Sequence, residues 1–157
     1  MILISRRDDN LEQQDLENEL LYIVESKQKC INAGMDPNEF TFSKVVLSDQ
    51  ELANKKLAYE EILEVVGFFG NKILKSLEGT PMVVTISDEK GTILEMIGNE
   101  VMISSMSQLG VKPGVRFSQE DMGTNVISLT LQQNHPVQLI GDNHYHTFLH
   151  NSACYGV

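Results

Sequence analysis

The residues Met82-Val83-Val84-Thr85-Ile86-Ser87, Asp88-Glu89-Lys90-Gly91 and Thr92-Ile93-Leu94-Glu95-Met96-Ile97 decide the fold class. Two β-rich runs flank a short polar segment that ends in glycine, which reads as a hairpin with Gly91 at the positive-φ position. Downstream, Pro136-Val137-Gln138-Leu139-Ile140 reads as a third strand. A Gly141-Asp142-Asn143 turn and a short segment from His144 to Asn151 then lead to a fourth strand, Ala153-Cys154-Tyr155-Gly156-Val157. Helices are expected from Glu100 to about Leu109 and from Met122 to Gln133, the second with Thr124 or Asn125 near its cap. Between them runs a loop carrying Gly110, Pro113 and Gly114. A leading hairpin with later strands set apart by helices predicts an α+β fold with an antiparallel sheet flanked by helices, rather than a parallel α/β sheet.

Upstream the period is helical. From Asp8 to about Ala33, Leu11, Leu16, Leu20, Ile23, Val24 and Ile31 recur at spacings near three to five, forming a narrow apolar stripe. Gly34 stops this helix, and Asp36-Pro37-Asn38 is a turn. Ser48-Asp49-Gln50-Glu51 is a capping box that opens a second helix, whose apolar face runs Leu52, Tyr59, Ile62, Leu63, Val66, Phe69, Ile73, Leu77. Gly67 and Gly70 inside it each cost about 1 kcal/mol relative to alanine, so a close contact with a neighbouring element or a kink is expected there. The expected division is a helical extension, 1–47, and a main α+β domain, 48–157.

The 157 residues are 41% hydrophobic, enough for one core. With 22 acidic against 12 basic residues the net charge is −10, which works against nucleic-acid contact, because phosphate neutralisation needs clustered Lys and Arg. The short apolar run at Met1-Ile2-Leu3-Ile4 precedes its charges, so it lacks the order of a signal peptide, and no stretch approaches a membrane span. Cys30 and Cys154 match neither a disulfide framework nor a CxxC site. The expectation is a cytoplasmic protein that contacts no membrane.

Three of the four histidines, His144, His146 and His150, lie close to Cys154 in sequence. Their spacing matches no recurrent zinc motif, so no metal is expected. Cys154 with His150 as its base would make a nucleophile only beside oxyanion donors, which nothing in the sequence supplies. The carboxylate pairs Glu60-Glu61 and Glu120-Asp121 sit where solvation and helix-dipole compensation explain them. Phosphate-binding glycine loops are absent and no cofactor is expected. What remains is a concave, mainly apolar pocket with a few polar groups, for which Phe117, Met122, Asn125, Tyr145, His146, His150 and Cys154 are the candidate liners.

Several phrases, in order, resemble the sigma-54-dependent enhancer-binding activators of acetoin and glycerol or dihydroxyacetone catabolism. Cys30-Ile31-Asn32-Ala33-Gly34-Met35-Asp36-Pro37 and Leu47-Ser48-Asp49-Gln50-Glu51-Leu52 are similar to the family's opening phrases. Val84 to Leu94 with Ile97-Gly98 resembles its first hairpin. The most specific likeness is Met122-Gly123-Thr124-Asn125-Val126-Ile127, then Pro136-Val137-Gln138 and Gly141-Asp142-Asn143-His144-Tyr145, with His150 and Cys154 following. The resemblance implies a GAF domain that binds an acetoin-like small molecule and controls an ATPase and a DNA-binding module lying outside this chain. Two departures stand out: the sequence has no tryptophan, and the family continues past Val157 into a further strand that lies mid-sheet. Without that strand, the sheet is expected either to pair with another protomer or to keep an open edge.

The expectation is therefore a non-catalytic sensory domain of GAF-like fold, binding a small metabolite and self-associating as a homodimer through its N-terminal helices. One rival is an interaction module whose pocket is filled by Met and Phe, since Met fills irregular gaps well. Another is an enzyme related to the GAF-fold methionine sulfoxide reductases, disfavoured because Cys30 lies in the lead-in helix, far from Cys154.

Overall fold

The computed structural model describes residues 9–39 and 45–157, with side chains from Leu21 onward. The apolar run at Met1-Ile2-Leu3-Ile4 and the side chains of Leu11, Leu16 and Leu20 lie outside the described residues.

Helix α1 runs Asp9–Asn32 and ends at Gly34, whose φ of +73° is of the kind glycine adopts freely. Its buried side is Ile23, Ser26 and Cys30, while Leu21, Val24 and Ile31 face outward. The stripe expected from the sequence is thus split, because the helix packs through two small polar residues that an apolar count passes over.

The Ser48 capping box is present: Ser48 Oγ accepts from Glu51 N–H, and Glu51 accepts in return from Ser48 N–H at 2.8 Å. The long helix expected to follow is two. Helix α2 spans Asp49–Ala58 and α3 spans Glu60–Ser76, separated at Tyr59 (φ −109°, ψ 13°). The Tyr59 hydroxyl donates to Glu89 in the first hairpin turn, and its N–H is shared between the Lys55 and Lys56 carbonyls. The tertiary bond holds the bend. Gly70 is buried against Val84 and Ile97; a Cβ there would stand 2.9 Å from Ile97 Cδ1, so the glycine admits the close helix-to-sheet contact expected of it. Around Gly67 there is open space, so the sequence expectation holds for one of the two glycines.

Strands β1 (Val83–Ser87) and β2 (Ile93–Gly98) pair antiparallel from Val83↔Gly98 to Ser87↔Ile93, and Gly91 has φ +76°. Asp88 organises the turn. Its Oδ1 accepts from Lys90 N–H and Thr92 N–H, and Lys55 pairs with its other oxygen. Burial pushes this carboxyl up, but the Lys55 and backbone bonds together hold it below its ordinary value.

Helix α4 (Glu100–Gln108) is capped by Asn99, whose side chain accepts from Met102 N–H. Short helix α5 (Gln119–Met122) stops at Gly123. Helix α6 (Val126–Gln133) begins at Asn125, so the helix expected from Met122 starts later and is interrupted. Gly123, at φ +64°, breaks the run, and the Asn125 cap restarts it. Strands β3 (Val137–Ile140) and β4 (Ala153–Gly156) form a second antiparallel pair, Val137↔Gly156 through Ile140↔Ala153.

The fold class is α+β with short antiparallel strand pairs, which close into no barrel among the described residues. The two pairs are separate ladders, β1 with β2 and β3 with β4. Apolar burial is divided the same way. Ile93, Val111, Val115, Phe117 and Met122 fill the core beside the first hairpin. Ile23, Leu129, Val137 and Leu139 fill a second core that joins α1 to α6 and β3. None of the helices among the described residues is long and apolar enough to cross a membrane.

Candidate functional site

The segment between β3 and β4 carries most of the chemistry. It leaves β3 through a 3-10 turn, Gly141–Asn143, and passes a second one, Thr147–Leu149. Between them His144, Tyr145 and His146 are consecutive buried residues, which an exposed loop does not offer.

Backbone and side-chain bonds clamp this loop on two sides. On one side, Tyr145 N–H donates to Thr124 O at 3.3 Å, and the Tyr145 ring and His146 lie against Gly123. On the other, the Tyr145 hydroxyl donates to Met35 O and Thr147 N–H to Pro37 O at 3.0 Å, in the turn that follows α1. The Tyr145 and His146 rings meet edge to face at 5.4 Å, and His146 lies 5.7 Å from the Phe148 ring.

His144 is 1% exposed, and its Nδ1 pairs with Gly141 O at 2.9 Å. Its Nε2 and that of His150 are buried and are hydrogen-bonded by none of the described residues. Burial pushes the His144 pKa down from 6.5, and His150 and Lys27 push the same way. Burial also lowers His146, against opposing contributions from Pro37 and Asp36. Both imidazoles are therefore neutral at pH 7 and exchange hydrogen bonds without charge. The Cys154 thiol, on β4, is pushed up by burial, which disfavours the thiolate.

The seven candidate liners are scattered in role. Phe117 and Met122 belong to the first core. Asn125 is occupied by the backbone: Nδ2 donates to Gly123 O at 2.9 Å and Oδ1 accepts from Ser128 N–H. Tyr145, His146 and His150 share the loop, and Cys154 pairs with Leu139 across the second ladder. Among the described residues no group of three or more His, Cys, Asp or Glu side chains is placed to hold a metal ion.

Sequence reasoning missed a buried polar seam that ties this region to α1. Ser26 Oγ and Thr124 Oγ1 share a 2.8 Å bond, and Cys30 Sγ lies 3.5 Å from the same Thr124 hydroxyl. Gln119 Nε2 donates to Ser26 O at 3.0 Å, and Gln132 Nε2 donates to Gln119 Oε1 at 3.0 Å. Its one sequence signal is Ser26 and Cys30 four residues apart on a helix face, but their partners are more than ninety residues away in the chain. Replacing Thr124 with valine keeps the shape and deletes the shared hydroxyl, leaving Ser26 unpaired in a dry seam. The expected loss is about 1–2 kcal/mol in urea denaturation; an unchanged midpoint would show that the seam does not hold α1.

No family model matches the chain. It is similar to a signal-transduction and transcriptional-control protein of Clostridium beijerinckii, 25% identical over 123 residues that make up 78% of this chain and 19% of that protein. It is also similar to the glycerol metabolism operon regulatory protein of Citrobacter freundii, 27% identical over 74 residues, 47% of this chain and 12% of that protein. Each likeness spans a small part of a longer regulator. Among solved structures, the crystal structure of the E. coli DhaR(N)-DhaL complex matches with a TM-score of 0.75 and 20% identity, over 83% of this chain and 44% of that one. These relatives are regulatory proteins by description, and the solved neighbour shares the fold.

Proposed function

We propose that this chain is the non-catalytic sensory domain of a sigma-54-dependent type of transcription regulator. It has a GAF-like fold, acts as a homodimer in the cytoplasm, and binds a small neutral metabolite. Its output, an ATPase and a DNA-binding module, lies outside these 157 residues. The observation that carries the reading is the 144–150 loop. It presents two buried imidazole nitrogens, on His144 and His150, bonded by none of the described residues, and it is clamped to the end of α1 through Met35 and Pro37.

Buried polar atoms are normally satisfied, and a ligand hydroxyl, which both donates and accepts, satisfies an imidazole nitrogen of either tautomer. His144 is held neutral and its Nδ1–H donates to the Gly141 carbonyl, so its Nε2 is an acceptor: the hydroxyl of a diol or hydroxyketone can donate to it, and a carboxylate cannot. Tyr145 and His146 form the wall. Phe117, Met122, Asn125 and Cys154 act as outer liners that set its shape. Through the Tyr145–Met35 bond and the Ser26–Thr124 seam, a change in the loop biases the position of α1, provided that the ligand prefers one of two arrangements.

NMR of the histidine ring protons during addition of acetoin, glycerol or dihydroxyacetone tests this. The resonances of His144 and His150 are expected to shift saturably with one of the three, while exposed His135 stays still. Shifts spread evenly over all histidines, or absent with every compound, would sink the assignment.

A second reading has one specific support: the solved neighbour was crystallised with DhaL. On that reading this domain receives its signal from a partner protein, and the loop is a packed core element. Binding of a partner that leaves the His144 and His150 resonances in place would favour it.

A further inference from the structure

Helix α3 carries two apolar rows, and the sheet uses only one. Leu63, Gly70 and Leu74 are at least partly buried, with Gly70 seated on Val84 and Ile97. The second row, Ile62, Val66, Phe69 and Ile73, follows the i, i+4, i+7, i+11 spacing of a helix-pairing stripe. It stands out of the fold: exposure runs from 36% at Val66 to 58% at Phe69, and the neighbouring Val65 and Phe68 are each 57% exposed. Six such side chains present on the order of 500 Å² of apolar surface, given about 150–250 Å² for an aromatic residue. That is near the upper end for a monomer, about 300–600 Å², and a large part of the about 800 Å² that each partner contributes to a stable interface.

The charges on the same helix identify the occupant. Glu60, Glu61 and Glu64 lie in its first half, and Lys72 and Lys75 in its second. We propose that α3 pairs with α3 of a second copy of this chain, antiparallel, about a two-fold axis midway between Val66 and Phe69. Ile62 then faces Ile73 of the partner subunit, and Val66 faces Phe69 of the partner subunit. The acidic start of each helix runs beside the basic end of the other, and the helix dipoles oppose. A parallel pair would set like charges together, in a chain that already carries −10. This inference rests on the homodimer in the proposed function and specifies which helix forms it and in which direction.

The test is sedimentation equilibrium of the full 157-residue chain and of charge-altered variants, with circular dichroism confirming an unchanged fold. The wild-type chain is expected to dimerise. Phe69→Glu should raise Kd by roughly tenfold or more. The double variants Glu61→Lys/Glu64→Lys and Lys72→Glu/Lys75→Glu touch only exposed positions, so they keep the fold. Each should dimerise poorly alone, and the two should form a heterodimer on mixing, because a helix basic at positions 61, 64, 72 and 75 then meets one acidic at all four. A monomeric wild-type chain would overturn both this pairing and the homodimer. A dimer indifferent to these changes, or one lost instead on Val24→Glu in α1, would overturn the α3 pairing alone.

Discussion

Replacing Leu139 with alanine is expected to cost about 3 kcal/mol, within the range of about 2–5 kcal/mol for truncating a fully buried leucine. Leu139 is 0% exposed and packs with Ile23, Leu129 and Val137, one residue each from α1 and α6 and a second from β3. Because Ile23 holds α1 in this same core, the loss should loosen α1 first: proteolysis near residues 21–32 should quicken before the rest unfolds. The comparison is Leu131→Ala on α6, 44% exposed, with an expected cost below about 1 kcal/mol. Similar urea midpoints for the two variants would show that the second core does not bind α1 to the domain.

Stability should also fall with mild acid. His144 and His146 are both held below the ordinary 6.5 in the folded chain, chiefly by burial. The unfolded chain therefore takes up protons at higher pH than the folded one. Above the unfolded value both states are neutral and stability is flat. As pH drops below 6.5 toward the folded values, the unfolded state gains protons that the folded state refuses, and stability declines. Each group contributes a slope of up to about 1.4 kcal/mol per pH unit in that window, so the pair costs up to about 3 kcal/mol over one unit. Urea midpoints between pH 7.5 and 5 measure this before the carboxylates begin to titrate. His144→Gln should halve the slope, and a wild-type midpoint that stays level to pH 5 would contradict it.

The first hairpin was legible because its signals are local. The two β-rich runs, Met82 to Ser87 and Thr92 to Ile97, the polar turn and Gly91 all act within a few residues of each other. The Ser48 capping box and the second strand pair were legible for the same reason. The bend at Tyr59 was not, since it depends on a hydroxyl reaching Glu89, thirty residues away. The late start of α6 was half legible: Thr124 or Asn125 was marked near its cap, but the positive-φ turn at Gly123 was not read as a break. In α1 the apolar count chose Val24 and Ile31, which face outward, because Ser26 and Cys30 bury themselves through a partner at Thr124 that no periodicity records. The candidate site shows the same limit. The sequence singled out the histidine-rich loop, while burial decided that His144, absent from the candidate liners, is among its most enclosed residues.

The most direct test of the sensory reading is the melting temperature of the 157-residue chain in the presence of acetoin, glycerol, dihydroxyacetone and short carboxylic acids. A ligand of the native state stabilises it by about 2.7 kcal/mol at a hundred times Kd. The account predicts a saturable rise with one of the neutral hydroxylated compounds, none with the acids, and loss of the rise in His144→Ala. A folded chain whose melting temperature moves with none of them, or moves equally in the His144→Ala variant, would contradict it.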